Sequence, residues 1–283
     1  MNQFKLKFQL FNAAEKLITV LVLFYLLSSV VSALFQYNAV AFLELDRDLG
    51  RLLYKPWTLM SYALVHQGIF HILFNMLWLH FSSRLFLNLF DDKRFYALFS
   101  IGVLVGAAFF LIAYNTFPAL TSRNAMLVGS SAGVTAVLIF MCVYAPQTAL
   151  RFFTFNFKLW QLGVFFVVLD LMQLGSGINI GGHLAHLGGA LSGYLLAYRI
   201  KNTSDDLTRF SDFWIKVFEP LRAVFNPKKP SFKKVYKNKN KTAKSSGLNQ
   251  QEKLDAILDK IGKSGYEALS SEEKDFLFQQ SKK

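Results

Sequence analysis

A single cysteine, Cys142, is the only thiol in 283 residues, so neither an internal disulfide nor a cysteine-built metal site can form. Carboxylates are also scarce, 18 Asp and Glu against 31 Lys and Arg. The resulting +13 charge gathers in a polar tail beyond residue 198, which argues against a uniformly basic nucleic-acid binder. The opening Met1-Asn2-Gln3-Phe4-Lys5 lacks the compact charged region, short apolar core and small-residue cleavage site of a signal peptide. The first apolar run, about Leu17 to Phe35, is therefore expected to stay as an anchor. Missing too are the H-E-x-x-H pattern of a metallopeptidase and the internal repeats or paired broken helices of a transporter.

What the chain has is hydrocarbon: 53% of its residues are hydrophobic and 30 are Phe. Five further apolar runs follow the first, at roughly 66–87, 96–114, 127–146, 159–175 and 183–200. Each approaches the ~20 residues that cross a ~30 Å hydrocarbon core. The expected fold class is an all-α polytopic membrane protein, a six-transmembrane-helix bundle with a small cytosolic helical appendage. Lys5, Lys7, Lys16, Lys93, Arg94, Arg151, Lys158, Arg199 and Lys201 fall on one side, which should be cytoplasmic. That puts both termini inside a cell membrane and the 36–65 connection, the 115–126 loop and the 176–182 turn outside. Arg47, Arg51 and Lys55 in the outer connection are offset by Glu44, Asp46 and Asp48.

Three domains are expected: a six-span unit over 1–200, a basic linker over 201–250 that lacks the apolar content to fold alone, and a two-helix module over 251–283. In the module, Leu254, Ile257, Leu258 and Ile261 recur at helical spacing, Gly262 and Gly265 serve as stops, and Ser270 to Glu273 form a capping box.

The candidate site arises from depth. Spans two, four and six enter from the outside, so counting 1.5 Å per residue puts His71, Ser131 and His186 within ~10 Å of the outer boundary. Asn75 lies one turn below His71 on the same face. Unsatisfied polar groups facing lipid cost several kcal/mol each, so these side chains should face the bundle interior or a wet cavity. Ala185, Gly189 and Gly193 form a small-residue stripe that lets span six approach Gly129, Ala132 and Gly133 around Ser131. A hydroxyl beside an imidazole then suggests nucleophilic catalysis, with Ser131 as nucleophile and His186 as base. His71, Asn75 and the Ser131 N–H are candidate oxyanion donors.

Other readings compete. Gly129-Ser130-Ser131-Ala132-Gly133 also fits the G-x-S-x-G elbow of α/β-hydrolases, with Asp170 and His186 in that order, but the elbow requires a strand and sheet. Asp170, at the depth of His186, either orients its ring or bonds a neighbouring helix end. His66 and His183 read as hydrogen-bonding braces near the outer mouth, and His80 as an interior or groove histidine. Five histidines invite a metal reading, yet no carboxylate lies adjacent in sequence, so no metal or other cofactor is expected.

Taken together, the motifs resemble the rhomboid family of intramembrane serine proteases. His66-Gln67-Gly68-Ile69-Phe70-His71-Ile72-Leu73-Phe74-Asn75 resembles its H-x4-H-x3-N signature. Gly129-Ser130-Ser131-Ala132 is similar to G-x-S-x, and Ala185-His186-Leu187-Gly188-Gly189 to A-H-x-G-G. The resemblance covers about 17–200. It implies a Ser131–His186 dyad with His71 and Asn75 as oxyanion donors; His66, Gly129 and Asp170 are candidates for support of that site on their positions alone. It further implies transmembrane protein substrates entering sideways from the bilayer, cut near the outer interface. An inactive relative that binds and escorts membrane proteins would share the fold. Departures are Trp57-Thr58 where members often have Trp-Arg, Thr135 where many have an aromatic four residues after the serine, and no glutamate within Ser82 to Leu87.

Overall fold

The computed structural model describes residues 10–152, 155–213 and 248–280. The chain divides into two compact units, Met1–Pro227 and Lys228–Lys283.

Among the described residues, six long helices build the first unit: α1 Ala13–Phe35, α2 Ile69–Leu87, α3 Asp92–Thr116, α4 Ser131–Tyr144, α5 Leu159–Ser176 and α6 Ile180–Asn202. Their starts are written locally. At α1 the Asn12 side chain accepts from the Glu15 N–H while the Glu15 carboxylate accepts from the Asn12 N–H, each at 2.9 Å. Asp91 caps α3 by accepting from the Arg94 N–H, and Asn179 caps α6 by accepting from the Gly182 N–H.

By length and composition alone, α1, α3 and α5 can each cross a membrane. The second expected span is bent: the helical stretch 58–64 meets α2 at 99° across Val65–Gly68. The fourth is shorter than its apolar run. Its 14 helical residues rise about 21 Å (14 × 1.5 Å), well under a ~30 Å core, and the run's first residues, 127–130, are extended or turning. That makes α4 the shortest of the six long helices, with Ser131 at its N-terminal end.

The centre of the bundle is α4, where ten of 14 residues are buried, whereas α1 buries only Ala13, Ala14 and Leu21. Close approach to α4 depends on missing Cβ atoms. A Cβ at Gly189 would lie 2.2 Å from the Ala132 carbonyl oxygen, and one at Gly193 2.3 Å from that of Ala136. The expected stripe on α6 therefore meets α4, but Gly133 faces Phe99 of α3 instead, and Gly102 and Gly106 of α3 take the remaining contacts with Ala136 and Ala132. At the opposite end of α4, Phe140 packs against Phe86 and Tyr144, fixing α2 to α4 there.

Two short strand pairs were not anticipated. In the first, β1 Leu45–Asp46 pairs antiparallel with β2 Met126–Leu127, Leu45 opposite Leu127, which ties the long connection to the lead-in of α4. In the second, β3 Ala149–Phe152 pairs with β4 Phe155–Lys158 between α4 and α5. The connection is further tied by Trp57 Nε1, which donates to the Phe42 carbonyl at 2.8 Å, and by an Arg47 guanidinium donating to the Thr121 carbonyl.

Residues 201–213 correct the expected domain boundary at 200. Asp205 accepts from Arg94 Nε at 2.9 Å, Arg199 pairs with Asp206, and Leu207 is buried, so the chain stays packed on the first unit beyond α6. The rest of the expected linker, 214–247, lies outside the described residues.

The second unit is α7 Leu248–Ser264, a 3-10 turn at Tyr266–Ala268 and α8 Ser271–Gln280. Gly265 ends α7 with φ +79°, a conformation that favours glycine, whereas Gly262 stays inside the helix. Ser270 and Glu273 form the expected capping box, and Lys260 Nζ reaches Glu273 at 2.8 Å.

Candidate active site

The first unit contains a cavity of about 450 Å³ between α2, α4, α5 and α6. His71, Asn75, Ser131, Asp170 and His186 all line it. These are five of the seven residues singled out in the sequence. The other two stand directly behind the wall. Gly129, at φ +109°, brings the chain so close to His71 that a Cβ would sit 2.7 Å from His71 Nε2, and His66 reaches the wall through Ser130.

Helix termini deliver the key groups. Ser131 is the first residue of α4, and the preceding Ser130 makes no side-chain cap, so the first N–H groups of α4 are free of that partner. The Ser130 hydroxyl is committed elsewhere. It is fully buried, 3.1 Å from His66 Nε2 and 3.3 Å from Asn75 Oδ1. Because the Leu64 carbonyl near His66 Nδ1 (3.3 Å) can only accept, Nδ1 carries the proton of a neutral ring and Nε2 accepts from the Ser130 backbone N–H at 3.5 Å, while the Ser130 hydroxyl donates to Asn75 Oδ1. Sequence reasoning passed over Ser130 because its neighbour fits the motif; its only signal was a second hydroxyl beside Ser131.

His71 has the opposite tautomer. Its Nδ1 accepts from the Gln67 backbone N–H at 3.4 Å, so a neutral His71 carries its proton on Nε2, on the Gly129 side of the ring. Asn75 donates one amide hydrogen to the His71 carbonyl at 2.8 Å, which fixes the carboxamide and leaves its second N–H as a donor.

Across the cavity, Asp170 Oδ1 lies 2.8 Å from His186 Nδ1 and 2.8 Å from His183 Nδ1. Asp170 is largely buried, on a helix most of whose neighbouring side chains are exposed. His183, expected as a brace, braces Asp170. The donor atoms of Asp170, His183 and His186 fall within 4.8 Å of one another, a set that could in principle hold a cation. Tetrahedral zinc, with bonds of ~2.0–2.1 Å, spaces its ligand atoms about 3.4 Å apart, so the 2.8 Å separations are those of hydrogen bonds. His80, expected inside or in a groove, is instead exposed on α2. Thr135, one turn along α4 from Ser131, lines the cavity.

A hydroxyl, imidazoles, a carboxylate and a carboxamide around a cavity inside an apolar helical bundle fit a multi-pass helical membrane protein. Comparison with known proteins agrees on the fold. The Rhomboid domain matches residues 54–202, 149 of 283 residues, and the chain belongs to the rhomboid family, whose domain is a polytopic helical membrane fold. Residues 241–283 match a second family, one of unknown function (DUF6576). The chain is also 28% identical over 141 residues to the Presenilin-associated rhomboid-like protein A, mitochondrial, of Danio rerio, covering 49% of this chain and 35% of that protein. It thus spans about a third of that relative's length.

Proposed function

We propose that the protein is an intramembrane serine protease that hydrolyses peptide bonds of transmembrane proteins near the outer membrane interface. The observation that carries this reading is the convergence of Ser131, His186, His71 and Asn75 on one cavity at the N-terminal end of α4. In the proposed reaction His186 takes the Ser131 proton as the hydroxyl attacks the carbonyl carbon, then returns it to the leaving amine. Water attacks the acyl-enzyme by the same route. The His71 Nε2–H, the second Asn75 N–H and the Ser131 backbone N–H are the proposed donors to the oxyanion, each typically worth ~2.7–4 kcal/mol of barrier. Residue types that unwind cheaply, Gly and Pro, should favour cleavage where a substrate helix reaches this level. The Lys and Arg distribution supports cytoplasmic termini in a cell membrane.

The test is cleavage in liposomes. Purified protein with a single-span substrate is expected to cut after a small residue close to the outer interface, at the same rate with and without a chelator. Cleavage of soluble unfolded chains alone would contradict the reading, and substrate bound but never cut would favour an escort.

A further inference from the structure

We propose that Asp170 is a positioning residue that holds His186 in the one tautomer and orientation able to act on Ser131, with His183 holding Asp170 in turn. The inference rests on the protease reading above for its kinetic consequence, but its geometric core does not.

A single carboxylate oxygen meets two imidazoles. Oδ1 of Asp170 lies 2.8 Å from Nδ1 of both His183 and His186. A carboxylate has only acceptors, so each imidazole must present Nδ1–H to it. For neutral His186 this leaves Nε2 bare, with its lone pair on the far side of the ring from Asp170. A neutral imidazole without such a partner is free to carry its proton on Nε2, where it cannot accept one from a hydroxyl. The carboxylate therefore selects the base form. As His186 gains the serine proton, the same oxygen faces the new positive charge across a 2.8 Å contact in a site where water is partly excluded.

The second histidine explains why the carboxylate stays in place. His183 and His186 are three residues apart on α6, so both rings project from one face toward α5, with centroids 5.7 Å apart and planes at 84°. One hydrogen bond would leave Asp170 able to swing about its side-chain bonds; two on one oxygen fix it from two directions. Asp170 is also a buried residue of α5 while Leu169, Leu171 and Met172 around it are exposed, so its side chain is aimed at α6.

The experiment compares the full-length parent with Asp170→Asn and Asp170→Ala in liposomes, reading kcat, KM, melting temperature and the imidazole 15N shifts of His186. Asn keeps the shape but not the charge, so whichever amide atom faces the two rings at the Oδ1 position, the imidazolium formed at His186 loses its counter-charge. Both variants are expected to melt near the parent while kcat falls about 10²- to 10⁴-fold at a KM within about threefold, in line with the ~10⁴ loss when a triad carboxylate becomes an amide. The His186 signal should shift from one Nδ1–H form to a mixture, and formate should restore part of the Asp170→Ala rate by filling the vacated carboxylate position. Should Asp170→Ala unfold, the kcat of Asp170→Asn decides. Parent-like kcat in Asp170→Asn, or an unchanged His186 tautomer in a folded Asp170→Ala, would overturn the proposal. A parent that cleaves nothing yet keeps the Nδ1–H form of His186 would remove the protease reading and leave the positioning of the ring standing.

Discussion

Replacing Ser131 with alanine is expected to lower substrate cleavage by at least about 10⁴-fold while leaving the protein folded. The two halves of that expectation have separate causes. Ser131 opens α4 and is only partly buried, so deleting one oxygen creates no large cavity, and alanine is the better helix former. A stability change within about 0.5 kcal/mol is the usual outcome at such a position. Chemistry is the other half: without the hydroxyl no acyl-enzyme forms, and what remains is the stabilisation by oxyanion donors and binding. In a soluble serine protease, loss of the nucleophile alone costs about 2 × 10⁶ in kcat. Parallel melting curves and cleavage rates of parent and Ser131→Ala would check both halves. A variant that cleaves like the parent would point to another nucleophile or a contaminant.

The second large effect comes from a residue with no polar atom in its side chain. Gly189→Ala is expected to destabilise the first unit by about 1–3 kcal/mol or more and to depress cleavage with it. The added Cβ would sit 2.2 Å from the Ala132 carbonyl oxygen and 3.2 Å from its Cα, and those are backbone atoms that cannot swing aside. Only a shift of α6 away from α4 relieves the overlap, and that shift carries His186 away from Ser131. Interiors packed at crystal density pass such strain on rather than absorb it. The matched control is Gly262→Ala in α7, where nothing lies within 4 Å of the new Cβ and helix propensity should make the change neutral or slightly stabilising. Equal melting of Gly189→Ala and parent would contradict the packing described here.

The residues that could be placed from sequence were those whose position follows from counting along one helix. His71 and Asn75 are four apart, and Ala185, Gly189 and Gly193 form one stripe, so their faces follow from the helical period. Depth by counting also put Asp170 level with His186, but the partner it chose was invisible, since only the packing of α5 on α6 decides whether a carboxylate meets a ring or a helix end. The informative sequence signal was an isolated ionisable residue in one apolar run opposite a His pair at i,i+3 in the next. The late start of α4 was hidden because hydropathy registers residues 127–130 as apolar without registering that they turn. For the same reason the packing of Gly102 and Gly106 passed unread, and so did the strand pairs, two and four residues long, too brief to leave a period. The segment 201–213 looked like a linker by composition, yet Arg94 lies more than a hundred residues upstream and holds it in place through Asp205.

The central claim is that the Ser131 hydroxyl is activated by His186, and covalent capture tests it most directly. A fluorophosphonate reacts with an activated serine and ignores inert hydroxyls, so the parent in liposomes should acquire one adduct, mapped by mass spectrometry to Ser131. The His186→Ala variant should acquire none at the same exposure. Labelling of Ser131 that persists undiminished without His186, or a parent that is never labelled, would contradict the account.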